Sequence, residues 1–134
     1  MSDDLTFRLS EIPVHLGLGA KVTPEAAFTE TPDWYQRYSE RHQTDGSEGR
    51  LVTMHTFDES WTSWEMHPHG EELVVCISGP ITLIQETLGD TLEVALATGD
   101  AVVNPAGVWH TADATGPATA LFITAGMGTE VRSR

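Results

Sequence analysis

From Arg50 onward the chain is a series of short apolar segments, each closed by glycine, proline or aspartate, and this punctuation limits the fold more than any other feature. "RLVTMHTF" (50–57) leads through a turn at 58–60 into "WTSWEMH" (61–67). "ELVVCIS" (72–78) stops at Gly79-Pro80, and "ITLIQETL" (81–88) stops at Gly89-Asp90. "TLEVALA" (91–97), "AVVN" (101–104), "VWHTAD" (108–113) and "ATALFITAG" (118–126) follow, separated by Thr98-Gly99-Asp100, Pro105-Ala106-Gly107 and Thr115-Gly116-Pro117. No long helical pattern lies between these segments to carry a parallel crossover, so the spacing predicts an all-β sandwich or barrel.

The first third has a different texture. Residues 1–49 read as an N-terminal extension containing a short helix and residues 50–134 as the barrel, the two making one structural domain, as a length of 134 residues suits. Thr31 can cap the helix, Pro32 suits its first position, and Gly46 or Gly49 can end the segment. Trp34, Tyr38 and Arg41 recur at helical spacing, and the stripe they form is expected to pack on the outside of a sheet. A lid or a dimer contact is the alternative. "LGLGA" (16–20) lacks the third glycine and the strand–turn–helix context of a dinucleotide loop and is set aside.

Seven basic against twenty acidic residues give a formal charge of −13, which repels nucleic acid and anionic lipid and excludes both as partners. Cys76 is the only cysteine, so no intrachain disulfide can form. The acidic start "MSDDLTFRLS" carries no apolar leader core, and no apolar run reaches membrane-spanning length. A cytoplasmic protein is the expectation.

Chemistry enters through strand parity, because residues i and i+2 share a face. Trp61, Ser63, Glu65 and His67 share one face, with Thr62, Trp64 and Met66 on the other. Glu72, Val74 and Cys76 lie together on the next segment, and Val108, His110 and Ala112 on a later one. If these faces line one barrel, Glu65, His67, Glu72 and His110 converge from three strands, and imidazole with carboxylate suits a first-row divalent metal. The plainer alternative makes each strand-end histidine a hydrogen-bonded rim residue. Two adjacent carboxylates also demand either a cation or a shared proton. Trp61 is a candidate wall for an apolar ligand. Cys76 is expected as a small core residue and is counted with Trp61 among the candidate pocket residues. Trp109 should face away from the site. His55 reads as structural, His15 and His42 fall outside the barrel, and "GTEVRSR" reads as a polar tail without a motif.

Gly99, Pro105, Gly107 and His110 stand at the spacings of the second motif of the cupin superfamily (G, five residues, P-x-G, two residues, H), with Ala114 where that motif ends in asparagine. Glu72 and Gly79 have the separation of the first motif, and His67 stands four residues before Glu72. Over roughly residues 50–125 the chain therefore resembles a small single-domain cupin, which implies a jelly-roll β-barrel. In this register the first family histidine falls on Glu65. The other register pairs His67 with His69 but leaves only two residues before Glu72, so it needs a shorter turn.

The resemblance implies a divalent transition metal (Zn, Fe, Mn or Ni) held by His67, Glu72 and His110, with Glu65 as a further ligand or a general base and His69 as the alternative ligand. It implies a small organic substrate and dioxygenation, isomerisation, decarboxylation or lyase chemistry. Binding without turnover, as in a sensor, is the second reading, and a structural homodimer with a vestigial site the third. A homodimer is expected in each case, since the family commonly pairs barrels edge to edge.

Overall fold

The computed structural model describes residues 5–134. The first four residues, which belong to the acidic start read above, lie outside the described part. Among the described residues, eleven strands and one α-helix follow one another as β1 (Val14–Leu16), β2 (Val22–Pro24), α1 (Pro32–Arg41), β3 (Arg50–Phe57), β4 (Ser63–Met66), β5 (Glu72–Ser78), β6 (Ile81–Thr87), β7 (Asp90–Leu96), β8 (Ala101–Asn104), β9 (His110–Asp113), β10 (Ala118–Thr124) and β11 (Glu130–Ser133). Short 3-10 turns occupy Leu18–Ala20 and Gln43–Glu48.

The strands form two sheets, ordered β2-β1-β3-β10-β5-β8 and β11-β4-β9-β6-β7. Each pairing is antiparallel. The core lies where their alternating faces meet. Val74, Cys76, Ala120 and Phe122 come from the first sheet, and Ile81, Leu83, Leu96 and Ala112 from the second. Burying side chains such as Leu83 and Ile81 stabilises the fold by about 1.5–3 kcal/mol each. The fold is all-β with a short helix before the barrel, as the punctuation predicts.

Two glycines make that punctuation possible. Gly99 turns the chain into β8 at φ +91°, and Gly107 turns it toward β9 at φ +77°. Both angles are left-handed and disfavour any residue with a Cβ. Their spacing places His110 at the first position of β9.

The N-terminal segment does more than carry a helix. β1 pairs with β3, Val14 opposite Val52, and β2 pairs with β1, so the extension adds two strands to the first sheet. The tail also folds: β11 pairs with β4, Val131 opposite Glu65. The extension carries its helix as expected, and these three strands are additions that the sequence reading did not anticipate. β1 and β2 are three residues each, too short to show alternation, and every residue of β11 is exposed.

Helix α1 begins as expected, with Thr31 Oγ1 accepting from the Trp34 N–H at 3.3 Å and Pro32 in the first turn. Its aromatic stripe packs on the added N-terminal segment. Trp34 is buried beside Phe28 and donates to the Ala26 carbonyl, and Tyr38 shares a 2.6 Å hydrogen bond with His15 Nδ1. Arg41 and His42 both hydrogen-bond the buried Glu25 carboxylate, at 2.7 and 2.8 Å. His15 Nε2 meets Asp45 at 2.6 Å, and the His15 and His42 rings stack at 3.7 Å. This network fastens α1 and the turn after it to β1.

Candidate metal centre

Strand register assembles the site as two facing rows. In the first sheet Glu72 stands directly between Thr124 of β10 and Asn104 of β8. In the second sheet His110 stands directly between Glu65 of β4 and Gln85 of β6. His67 follows the last residue of β4. Side chains at opposed positions on neighbouring strands touch, so each row supplies its own supports.

The Glu72 carboxylate is the most heavily held group. Asn104 Nδ2 donates to its Oε1 at 3.0 Å, and Thr124 Oγ1 donates to its Oε2 at 2.6 Å. Gln85 Nε2 in turn donates to Asn104 Oδ1 at 2.8 Å, which fixes the orientation of the Asn104 amide. His67 Nε2 and His110 Nε2 each lie 3.2 Å from a Glu72 oxygen. His110 Nε2 is 4.0 Å from Glu65 Oε2. Ligand atoms of Glu65, His67 and His110 all lie within 4.8 Å of one another.

The tautomer of His67 follows from its neighbour. Thr129 Oγ1 donates its proton to the Gly126 carbonyl at 2.8 Å, so toward His67 Nδ1, also 2.8 Å away, it can only accept. In the neutral ring the His67 proton then sits on Nδ1, which leaves Nε2 bare toward the site. That ring nitrogen is buried without a hydrogen-bond partner, as are both ring nitrogens of His110. The approach to Glu72 is close but lacks hydrogen-bond geometry. Buried polar atoms left in this state are costly.

Electrostatics divide the two carboxylates. Burial works to raise the pKa of Glu72, but His110 and His67 outweigh it and hold the carboxyl well below the usual range. Burial raises the pKa of Glu65, and the Glu72 charge adds to the rise against the pull of the histidines. Burial works to lower the pKa of His110, yet Glu72 and Glu65 outweigh it and the net direction is upward.

The donor set fits a divalent transition metal. Two ligands at ordinary zinc distances in a tetrahedral site stand about 3.3 Å apart, and each imidazole nitrogen is 3.2 Å from Glu72. One bare, correctly tautomerised imidazole nitrogen, a second imidazole and two carboxylates match the preferences of Mn, Fe, Co, Ni or Zn.

A cavity of about 1020 Å³ opens beside these residues, lined by Trp61, Ser63, Glu65, His67 and Glu72 on the barrel side and by Tyr35, Tyr38 and His42 on the side of α1 and its following turn. Trp61, the expected wall residue, packs 5.9 Å from Phe122 and 6.4 Å from His110, ring to ring. Cys76 does not line the cavity. It packs fully buried in the core, which corrects its placement among the pocket residues: apolar neighbours from both sheets close over its inward face. His69 is exposed on the turn after β4, beside Gly128, and does not join the other four residues. Trp64 and Trp109 lie on the opposite side, where Arg132 stacks over both.

Sequence reasoning missed Asn104, Thr124, Gln85 and Thr129, which hold the ligating side chains. Their only signal was position opposite a ligand on a neighbouring strand, and that needs the register. It also left His55, hydrogen-bonded to Glu30, and His15 outside the site, although both line the cavity. His15, His42 and Asp45 form a second group with metal-ligating atoms close together, but both His15 nitrogens are taken up in hydrogen bonds.

A family model described as "Cupin domain" matches residues 52–125. No curated protein matches the chain. Among solved structures, hydroquinone 1,2-dioxygenase from Sphingomonas sp. TTNP3, with 4-hydroxybenzoate bound, is 16% identical over 56% of this chain and 59% of its own length, with a TM-score of 0.48. A cupin-2 domain containing protein from Shewanella frigidimarina is 20% identical over 56% of this chain and 69% of its own, with a TM-score of 0.46. Peruvianin-I, a cysteine peptidase from Thevetia peruviana latex, is 18% identical over 63% of this chain and 56% of its own, with a TM-score of 0.52. At 18% identity the last of these speaks to the fold alone.

Proposed function

Because this chain belongs to the Cupin domain family, we propose that Glu65, His67, Glu72 and His110 hold one divalent transition-metal ion, and that the protein binds a small organic molecule beside it and acts on it. The observation that carries this reading is the set of buried, partnerless ring nitrogens on His67 and His110, with His67 Nε2 bare and directed at Glu72. Structural histidines at strand ends are ordinarily satisfied by hydrogen bonds, and these are not.

When bound, the ion would supply Lewis acidity at a substrate oxygen or nitrogen. The chain's own groups do the rest. Asn104 and Thr124 hold the Glu72 carboxylate ionised and immobile, and Thr129 holds His67 in the tautomer that leaves Nε2 bare. Glu65, whose pKa is raised by burial and by Glu72, is suited to take or give a proton at its carboxylate oxygen. Trp61 and residues of α1 line the cavity beside the site. Residues 5–49 act with the barrel as part of one domain, a reading supported by the pairing of β1 with β3.

Elemental analysis of purified, tag-free protein tests the proposal, alongside His67→Ala and His110→Ala. About one equivalent of Mn, Fe, Co, Ni or Zn per chain is expected in the wild type, lost in both variants while their far-UV spectra stay those of a β-protein. Glu72→Gln, which keeps shape and loses charge, should also lose the metal. Wild-type protein that takes up no metal after loading at neutral pH would overturn the reading.

A further inference from the structure

The walls of the cavity carry a charge pattern that restricts what can enter. Among the described residues no lysine or arginine lines it, whereas Glu30, Glu40, Glu65 and Glu72 do. The remaining source of positive charge is histidine, and each lining histidine already faces a carboxylate. His15 meets Asp45 at 2.6 Å, His42 meets Glu25 at 2.8 Å, His55 meets Glu30 at 2.8 Å and His67 meets Glu72 at 3.2 Å. Even with a dication neutralising Glu65 and Glu72, the outer wall keeps Glu30, which His55 meets, and Glu40, whose hydrogen-bond partner is the neutral Gln36.

The apolar part of the wall has a definite chemistry too. Trp61, Phe57 and Phe122 pack edge and face at ring separations of 5.9–6.0 Å, and Tyr35 closes the α1 side with its ring against Phe28. The negative field of three glutamates reaches Tyr35, since Glu65, Glu30 and Glu72 add to the rise that burial gives its pKa. Aromatic walls of this kind take flat apolar rings and favour cations over their faces.

We propose that the cavity selects aromatic-sized organic molecules that are neutral or positively charged, such as aryl alcohols and aryl amines, and rejects those bearing a carboxylate, phosphate or sulfonate. This deepens the preceding reading and rests on it for the site of reaction, though the charge pattern itself belongs to the walls.

Benzylamine, benzyl alcohol and benzoate form a matched series that differs in charge while keeping one ring. Their binding to the full chain is followed by ligand-observed NMR and calorimetry, on chelator-treated protein and again on metal-loaded protein, with metal content measured separately. Benzylamine and benzyl alcohol should bind, and benzoate should bind at least about tenfold more weakly to chelator-treated protein, since facing like charges are strongly unfavourable. Trp61→Ala should abolish binding of both, and Glu30→Gln combined with Glu40→Gln should narrow the gap between amine and benzoate. Benzoate binding as tightly as the alcohol to chelator-treated protein, no binding by any of the three, or unchanged binding in Trp61→Ala would each overturn the inference. A protein that takes no metal yet ranks the series as expected would sink the metal reading and leave this one standing. One that takes metal but ranks the series otherwise would do the reverse.

Discussion

Replacing Thr129 by valine isolates one hydrogen bond in the centre. The two side chains have nearly the same shape, so the change removes an acceptor without opening a cavity. In the wild type the Thr129 hydroxyl gives its proton to the Gly126 carbonyl and receives the His67 Nδ1–H at 2.8 Å. In Thr129→Val that N–H loses its acceptor, the Nε2 tautomer becomes as accessible as the Nδ1 tautomer, and the ring is free to turn. Outer partners of metal-binding histidines are worth about 10–100-fold in affinity, or about 1.4–2.7 kcal/mol. Thr129 itself is exposed, so water can partly replace the hydroxyl, and the lower end, about tenfold, is expected. Competition with a chromophoric chelator for zinc at fixed pH reads this directly. Global stability should move by less than about 0.5 kcal/mol, as for an exposed site, and Thr129→Ser should restore the affinity. Unchanged zinc affinity in Thr129→Val, or an equal loss in Thr129→Ser, would refute the assignment of the tautomer to this hydroxyl.

The two tyrosines of the chain predict alkaline behaviour. Burial, reinforced by carboxylates, pushes Tyr35 up to about 12 and Tyr38 further, against about 10 in an unfolded chain. Raised folded values stabilise the protein fully below pH 10 and lose that contribution as pH climbs toward them, so absorbance at 295 nm should stay flat through pH 10 and rise only with unfolding. Tyrosine ionisation in the native protein at the ordinary value would contradict this. Gly107→Ala, forced to φ +77°, should cost about 1–2 kcal/mol in chemical denaturation, while Gly116→Ala, in open space and outside the left-handed region, should be close to neutral. Equal effects would undo the argument for Gly107. Glu25→Ala strips the buried carboxylate from Arg41 and His42 and should cost about 2 kcal/mol, below the full value for a broken buried pair because Arg41 is half-exposed. A change below experimental error in urea unfolding would show that the network does not fasten the extension.

What the sequence made legible and what it hid divide along a physical line. Strands β3, β5 and β8 are readable to the residue, because each is an apolar run bounded by glycine, proline or a polar turn and each buries alternate positions. The common face of Trp61, Ser63, Glu65 and His67 follows from parity alone, and all four line the cavity. Asn104, Thr124 and Gln85 were out of reach because their roles depend on register, which is set by pairings between segments as far apart as residues 72 and 124. Strand β11 was hidden for another reason. It is held by backbone pairing to β4 and not by an apolar face, so "EVRS" carries no pattern, yet it positions the loop that brings Thr129 to His67.

On the proposed reading, the glutamate standing where the family motif has a histidine governs how the centre handles protons. With two neutral imidazoles, Glu65 and Glu72 bring two negative charges, which a divalent ion would balance. Without the ion, the like charges must resolve unequally, and the surroundings determine which carboxyl yields. Glu72 cannot, since Asn104, Thr124 and both imidazoles crowd its oxygens and stabilise the ionised form. Glu65 has no hydrogen-bond donor of that kind; its nearest imidazole nitrogen is His110 Nε2, 4.0 Å away, and burial pushes its pKa upward. A histidine at position 65 would have made the set electrically lighter and left no carboxyl poised to exchange its proton. On the proposed reading, the departure from the motif gives the two acids different work, with Glu72 as the fixed anion of the site and Glu65 as its labile one.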